Sequence, residues 1–322
     1  MSEVWRKIGM RKEGMKSMNK WRNYSIGDKI FLIVVYGTLI LFALACLYPL
    51  YFTVIASLSD ARDVYTGKVN LWPRDVTLEA YTLVFQNQSI WRGYANTIFY
   101  TVVGTLFNLF LTIPTAYALS KKRMFGRTFL MTLFIITMYF GGGMIPNYIL
   151  FQKLHLINTP WIMIVNGGLS VYNVVVTRTY FQNNIPETLF EAARIDGASE
   201  FRIFLKLVLP LSAPIIAVIT LYYAVGHWSS YFSAMIYITD MDLHPLQVVL
   251  RRILILNESA YQDALLSADA TAEMLQSAER QAHLATTMKY ALVFIASAPV
   301  LAIYPFIQKY FVKGMMIGSL KG

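Results

Sequence analysis

Six stretches of this chain contain no Asp, Glu, Lys or Arg: residues 31–59, 93–120, 128–152, 154–177, 207–239 and 290–308. A helix crosses the hydrocarbon core of a bilayer with about 20 apolar residues, because every backbone polar group must be satisfied inside the spanning segment. Each run has that length. Only 14% of the 322 residues are charged, against roughly 25% in soluble domains. The pattern predicts an all-α membrane protein with six transmembrane helices. The first run follows a basic tail, as a signal peptide would. It is too long for an apolar signal core of about 7–15 residues, and further runs follow, so it reads as a retained helix.

The net charge of +10 raises the question of nucleic acid. Its distribution answers it. Counted in alternate gaps, Lys and Arg number 19 in residues 1–29, 120–127, 178–206 and the C-terminal tail, and 9 in the remaining gaps. Basic residues are retained on the cytoplasmic side of bacterial membranes. The bias therefore puts both termini in the cytoplasm and needs no nucleic acid. A basic tail with Trp5 and Trp21 can also touch anionic membrane lipid. The expected division is a cytoplasmic tail (1–29), a first transmembrane helix (30–59), an external loop (60–92), a five-helix core (93–309) and a cytoplasmic C-terminal tail (310–322). Within the core lie a cytoplasmic loop at 186–210 and an external segment at 240–289. The lone cysteine, Cys46, and four scattered histidines form neither a disulfide framework nor a zinc-type cluster.

The third run contains "MYFGGGMIPNYILF". Three glycines and Pro146 weaken a helix by several kcal/mol in sum, about 1 for each Gly and 3 for the Pro. Either a kink packed against neighbours or an interrupted helix lining a path satisfies that sequence, since irregular backbone at membrane depth survives only against protein or water. In the external segment, Leu246, Val249, Leu250 and Ile253 recur at helix spacing opposite Arg251 and Arg252, which suits an amphipathic helix at the interface. A structural cap and a docking surface for an external protein are both compatible with it.

Residues 178–206 carry 8 charges in 29 positions. Burying them at bilayer depth at roughly 3 kcal/mol each would cost about 24 kcal/mol, so the segment lies in water. Its local signals are ordered. Pro186 suits a helix start, Glu187 and Glu191 sit near the positive helix end, and Gly197 suits a left-handed cap. Ser199 can cap a second helix, whose Phe201, Phe204, Leu205 and Val208 share a face. The prediction is a helix–turn–helix. Phe190, Ala193 and Gly197 share one face of the first helix, beside a charged strip of Glu187, Glu191 and Arg194. That face can dock on another protein or on the chain's own membrane domain.

The spacing E-A-A, three residues, G, nine residues, Leu207, one residue, L-P resembles the EAA loop of importer permeases of the ATP-binding-cassette class. Many members have Ile where Leu207 stands. "FGGGMIPNYILFQKLHLINT", "EAARIDGAS", "GHWSSYFSAMIYI" and "HPLQVVLRRI" are similar to the carbohydrate-uptake permeases that include the maltose-type subunits, above all those proposed for complex or acidic oligosaccharides. The similarity covers about residues 25 to 322. It implies the type I ABC importer permease (MetI-like) fold in a bacterial cytoplasmic membrane, and a transport subunit rather than an enzyme. Implied partners are a second, distinct permease chain, a dimer of cytoplasmic ATP-binding subunits and an extracytoplasmic solute-binding protein. Sugar is the implied substrate. Coupling to the ATPase would fall to Glu191, Ala192, Ala193, Asp196 and Gly197. ATP and Mg would be bound by the partner and no cofactor by this chain; its nearest phosphate-loop match, "GMRKEGMKS", has Met15 where the motif needs Lys.

A sugar path needs aromatic platforms beside amide and hydroxyl groups. Candidates are Tyr139, Asn147 and Tyr148 around the glycine break, Asn166, Tyr172 and Asn173 in the fourth run, and His227, Trp228 and Tyr231 in the fifth. Each could equally make an inter-helix hydrogen bond. Relatives often carry Asn where Ser229 follows Trp228. The alternative function is a secondary carrier of sugar or another small solute. The absence of charge deep in any run argues against one driven by buried ion-coupling groups. No nucleophile–base pair, metal cluster or paired carboxylate suggests an enzyme.

Overall fold

The computed structural model describes residues 25–266 and 271–319, and every regular element among them is helical. Helix α1 (Ile26–Ser57) opens with a capping box: the Ser25 hydroxyl accepts from the Asp28 amide, and the Asp28 carboxylate accepts from the Ser25 amide. Its apolar side chains are exposed almost to its end, as a helix facing hydrocarbon requires, and only Ile55, Ala56 and Ser57 are buried. There Phe52 meets Tyr290 edge-on, tying α1 to the last helix. Two short helices, α2 (Ala61–Tyr65) and α3 (Glu79–Gln86), close the following loop.

Helix α4 (Gln88–Ser120) is the central post. Small and polar residues mark its buried face: Gly93, Thr97, Gly104, Asn108, Thr112 and Ala116 recur every three to four positions. A Cβ at Gly93 would lie 3.1 Å from the Leu246 backbone, so α13 (Leu246–Leu266) crosses at close range.

The third run breaks at the glycines as its sequence predicts. Helix α5 (Arg127–Tyr139) and α6 (Met144–Lys153) meet at 113°, with Gly143 in the left-handed region at φ +86°. The fourth run departs from expectation. Instead of one spanning helix it forms α7 (Pro160–Val165) and α8 (Val171–Asn184), parted by residues 166–170. Gly167 turns the chain at φ +74°, and the Asn108 amide donates to the carbonyls of Gly167 (3.1 Å) and Gly168 (2.7 Å). The side chain of α4 thus satisfies backbone that a bilayer could not, and this makes the break affordable at depth. Helix α8 then runs past the end of the apolar stretch, and Arg178 Nε donates to the Leu119 carbonyl at 3.0 Å.

Helix α9 (Glu187–Ile195) precedes α10 (Glu200–Leu211), which loosens into a π turn over Phe204–Val208. Pro210 removes a donor, and the Leu209 amide reaches back to the Phe204 carbonyl. Helix α11 (Ala213–Trp228) leaves at 80° to α10. Helix α12 (Tyr231–Tyr237) and a 3₁₀ turn lead to α13, and α14 (Ala272–Ser319) ends the chain. The stripe Leu246, Val249, Leu250 and Ile253 packs against α3, α4 and α14 rather than lying on a membrane surface. Among the described residues three helices are long and apolar enough to span, and five spans result if each bent pair counts as one. The fourth run, expected as the remaining span, is not among these five. Most of the expected basic tail, residues 1–24, and the final three residues lie outside the described residues.

Candidate substrate cavity and coupling loop

A cavity of about 300 Å³ lies between α4, α7, α11 and α12, at the lower end of small-molecule sites. Polar groups line much of it: Asn166, Tyr222, Ser229, Ser230 and Ser233, with Gly226 opening one wall. The Asn166 amide donates to Ser233 Oγ at 3.3 Å. Tyr223 fixes the floor: its hydroxyl accepts from the Ser170 amide (3.1 Å) and lies 2.6 Å from Thr112 Oγ1. Such a lining offers donors and acceptors to hydroxyls without a fixed charge.

His227 borders the cavity, but its Nε2 lies 2.6 Å from Asn108 Oδ1. Because the Asn108 amide nitrogen already donates to two carbonyls, Oδ1 is the acceptor and the imidazole carries its proton on Nε2. The ring sits on Gly104, where any Cβ would come within 2.4 Å of it. His227 therefore locks α11 to α4 at the cavity wall.

Of the sequence-predicted path residues, only Asn166 and His227 line this cavity. Trp228 points to the other side of α11. Its Nε1 donates to the Ala296 carbonyl (3.1 Å), and it lines an apolar cavity between α4, α11 and α14. Asn173 is buried within α8, where its carbonyl accepts from Thr177. Tyr172 and Tyr231 are exposed, as are Tyr139 and Asn147 at the glycine break. Tyr148 stacks on Tyr237 at 6.1 Å. Sequence reasoning missed Tyr222, Gly226, Ser229, Ser230 and Ser233. A signal for them exists: positions 222, 226, 229 and 233 form a small and polar stripe at helix spacing in an otherwise apolar run.

The local hydrogen bonds of the loop close as its sequence predicts. Helix α9 ends in a Schellman motif: the Ala198 amide bonds the Ala193 carbonyl (2.9 Å), the Gly197 amide bonds the Arg194 carbonyl (3.0 Å), and Gly197 sits at φ +73°. Ser199 caps α10 by accepting from the Arg202 amide. Of the two surfaces open to the Phe190 face, the chain's own domain is the one it meets. Phe190 is buried in the chain's own core and Ala193 packs against that core. The face turned to water carries Thr188, Glu191, Ala192 and Ile195, at i, i+3, i+4 and i+7, followed by Asp196 and Gly197. Ile195 is 87% exposed, and Phe201 at the start of α10 is 71% exposed.

A charged joint fixes this hairpin to the base of α4. Arg194 places Nε and Nη2 on Glu200 Oε1 (3.1 and 3.0 Å), Tyr117 donates to Glu200 Oε2 (3.0 Å), and the Lys121 ammonium lies 3.5 Å from the same oxygen. Lys121 also sits 3.5 Å above the Phe190 ring. Burial pulls the Lys121 pKa below the ordinary lysine value, with Glu200 opposing. Tyr117 and Asn108 are nine residues apart on one helix, about 14 Å at 1.5 Å per residue. The joint and the cavity wall therefore share one helix, with Pro114 between them.

Residues 89–317 match the family model described as the inner membrane component of binding-protein-dependent transport systems. The chain is 37% identical over 295 residues to the polygalacturonan/rhamnogalacturonan transport system permease protein YtcP of Bacillus subtilis, covering 92% of this chain and 99% of that one. It is 38% identical over 274 residues to the protein LplC of the same organism, covering 85% and 89%. In three dimensions it is similar, with a TM-score of 0.78 and 34% identity over 89% of this chain and 99% of the other, to a chain of a bacterial ABC transporter that imports the acidic polysaccharide alginate. This chain belongs to the family of binding-protein-dependent transport system inner membrane components.

Proposed function

We propose that the chain is one of two distinct permease subunits of an ATP-driven importer of oligosaccharides, those bearing carboxylates in particular. A cytoplasmic ATPase pair docks on the loop at 186–210, and a solute-binding protein delivers sugar from outside. The substrate class rests on what the relatives are named for, polygalacturonan/rhamnogalacturonan and alginate.

The observation that carries the mechanical part is the continuous linkage from α9 through the Arg194–Glu200–Lys121–Tyr117 joint to α4, and along α4 to Asn108 and His227. In this scheme a displacement of the exposed face of α9 is passed along α4, through the Pro114 turn, to the wall of the polar cavity. Closing the ATPase dimer would rock α4 and α11 and change which side the cavity faces. Glu191, Ala192, Ile195, Asp196 and Gly197 form the contact surface in this scheme, while Ala193 sets the seating of α9 on its own chain.

The test is ATP-dependent uptake of labelled trigalacturonate by the complete transporter in proteoliposomes. Wild type is expected to accumulate the sugar only with ATP inside and binding protein outside. Ile195→Asp is expected to lose uptake and ATPase co-purification together. Uptake driven by an ion gradient without ATP would overturn the assignment.

A further inference from the structure

A second cavity, also about 300 Å³, opens beside α12 and α13, walled by Met235, Ile238, His244, Val248, Arg251 and Arg252. Its two arginines differ from the five lysines and arginines of the described region that sit in ion pairs. Lys68, Arg92, Lys121, Arg194 and Arg280 each face a carboxylate within ion-pair distance. Among the described side chains no carboxylate lies within ion-pair distance of Arg251 or Arg252. Arg251 Nη1 lies 2.6 Å from the sulfur of Met235, a weak acceptor.

The partner of Arg252 is neutral. Its Nη2 lies 2.6 Å from His244 Nδ1, and His244 Nε2 lies 3.1 Å from the Ile238 carbonyl. A guanidinium only donates and a carbonyl only accepts, so Nδ1 is unprotonated and Nε2 carries the ring's single proton. His244 itself is buried. The imidazole thus aims Arg252 without cancelling its charge. Two aimed, uncompensated guanidiniums in a concave site match a planar carboxylate, which a guanidinium binds through paired hydrogen bonds.

Position gives the site a purpose. Phe232 and Ser233 of α12 wall the polar cavity, while Met235 and the adjoining Ile238 wall this one. Ser233 and Ile238 are five residues apart, about 8 Å along a helix. The two cavities are successive stations along one short element. We infer that Arg251 and Arg252, the latter held by His244, form a carboxylate-binding subsite that receives the anionic sugar at the outer approach to the polar cavity. The inference rests on the proposed importer function.

The experiment compares the complete transporter carrying wild-type, R251Q/R252Q or R251K/R252K permease, measuring the concentration dependence of trigalacturonate uptake in phosphatidylcholine vesicles and in vesicles containing phosphatidylglycerol. The Gln pair is expected to raise KM at least tenfold in both lipids with maximal rate changed less than twofold, and the Lys pair to recover most of the affinity. An unchanged KM in the Gln pair would overturn the subsite. So would equal losses in the Gln and Lys pairs, which mean a structural role, or a loss confined to phosphatidylglycerol vesicles, which assigns the arginines to lipid phosphate. Wild type that takes up no trigalacturonate would sink the substrate assignment, and the subsite with it, a result distinct from normal wild-type uptake with indifferent variants.

Discussion

Two side chains, Asn108 and His227, decide how α4, α11 and the broken fourth run fit together. Asn108 serves three backbone or ring partners, so replacing it with Ala strands two carbonyls and an imidazole N–H. At about 1–3 kcal/mol per buried unsatisfied group, the expected loss is at least about 3 kcal/mol. Gly104→Ala forces a methyl into the His227 ring and is expected to cost about 1–3 kcal/mol by overpacking. Gly226→Ala has nothing within 4 Å of the new Cβ and should leave stability unchanged. Thermal unfolding of the purified complex separates the three: a Gly104→Ala protein as stable as Gly226→Ala would refute the close seat of His227. The sequence marks His227 as a polar residue at depth, but its partner lies 119 positions away. Periodicity within one run cannot reveal that the ring faces a neighbouring helix instead of a ligand.

At the scale of elements, the loop at 187–211 shows both what local rules reach and where they stop. Gly197 as a left-handed cap and Ser199 as a helix start are short-range features, legible because their hydrogen bonds close within six residues. The glycine break near 143 is legible for the same reason. The direction that Phe190 faces is not, since it depends on Lys121 and the core beyond it. Nor is the break at 166–170, which Asn108 holds from another helix. Gly197→Ala meets no atom but must hold φ +73°, so the hairpin should weaken by about 1–2 kcal/mol. Faster proteolytic cleavage between α9 and α10 would register it. Phe190→Ala removes a buried ring and the seat of Lys121, and is expected to cost about 3 kcal/mol. Uptake should fall while the exposed face of α9 keeps its chemistry. Unchanged uptake would mean that the seating of the hairpin does not matter for coupling.

The whole molecule is a set of helices around α4, with apolar side chains exposed above all along α1. The described helices give three spans plus two bent pairs, and the fourth run is where composition and structure part: it carries no charge, but residues 166–170 interrupt its helix, with Gly167 at φ +74° and Asn108 bonded to the carbonyls there. The orientation expected from basic-residue bias places α9 inside and Met241 outside. With Cys46 changed to Ser, an Ile195→Cys protein in intact cells should resist a membrane-impermeant maleimide, and Met241→Cys should react; both native side chains are largely exposed. The reverse pattern would invert the topology.

The proposed grip of a separate ATPase on the exposed face of α9 is open to cross-linking of Ala192→Cys, in the Cys46→Ser background, to lysines with a short thiol–amine reagent in membranes holding the complete transporter. The expected product joins this chain to the ATPase and changes in yield when ATP is trapped. Products confined to this chain, with the ATPase still bound elsewhere, would contradict the account.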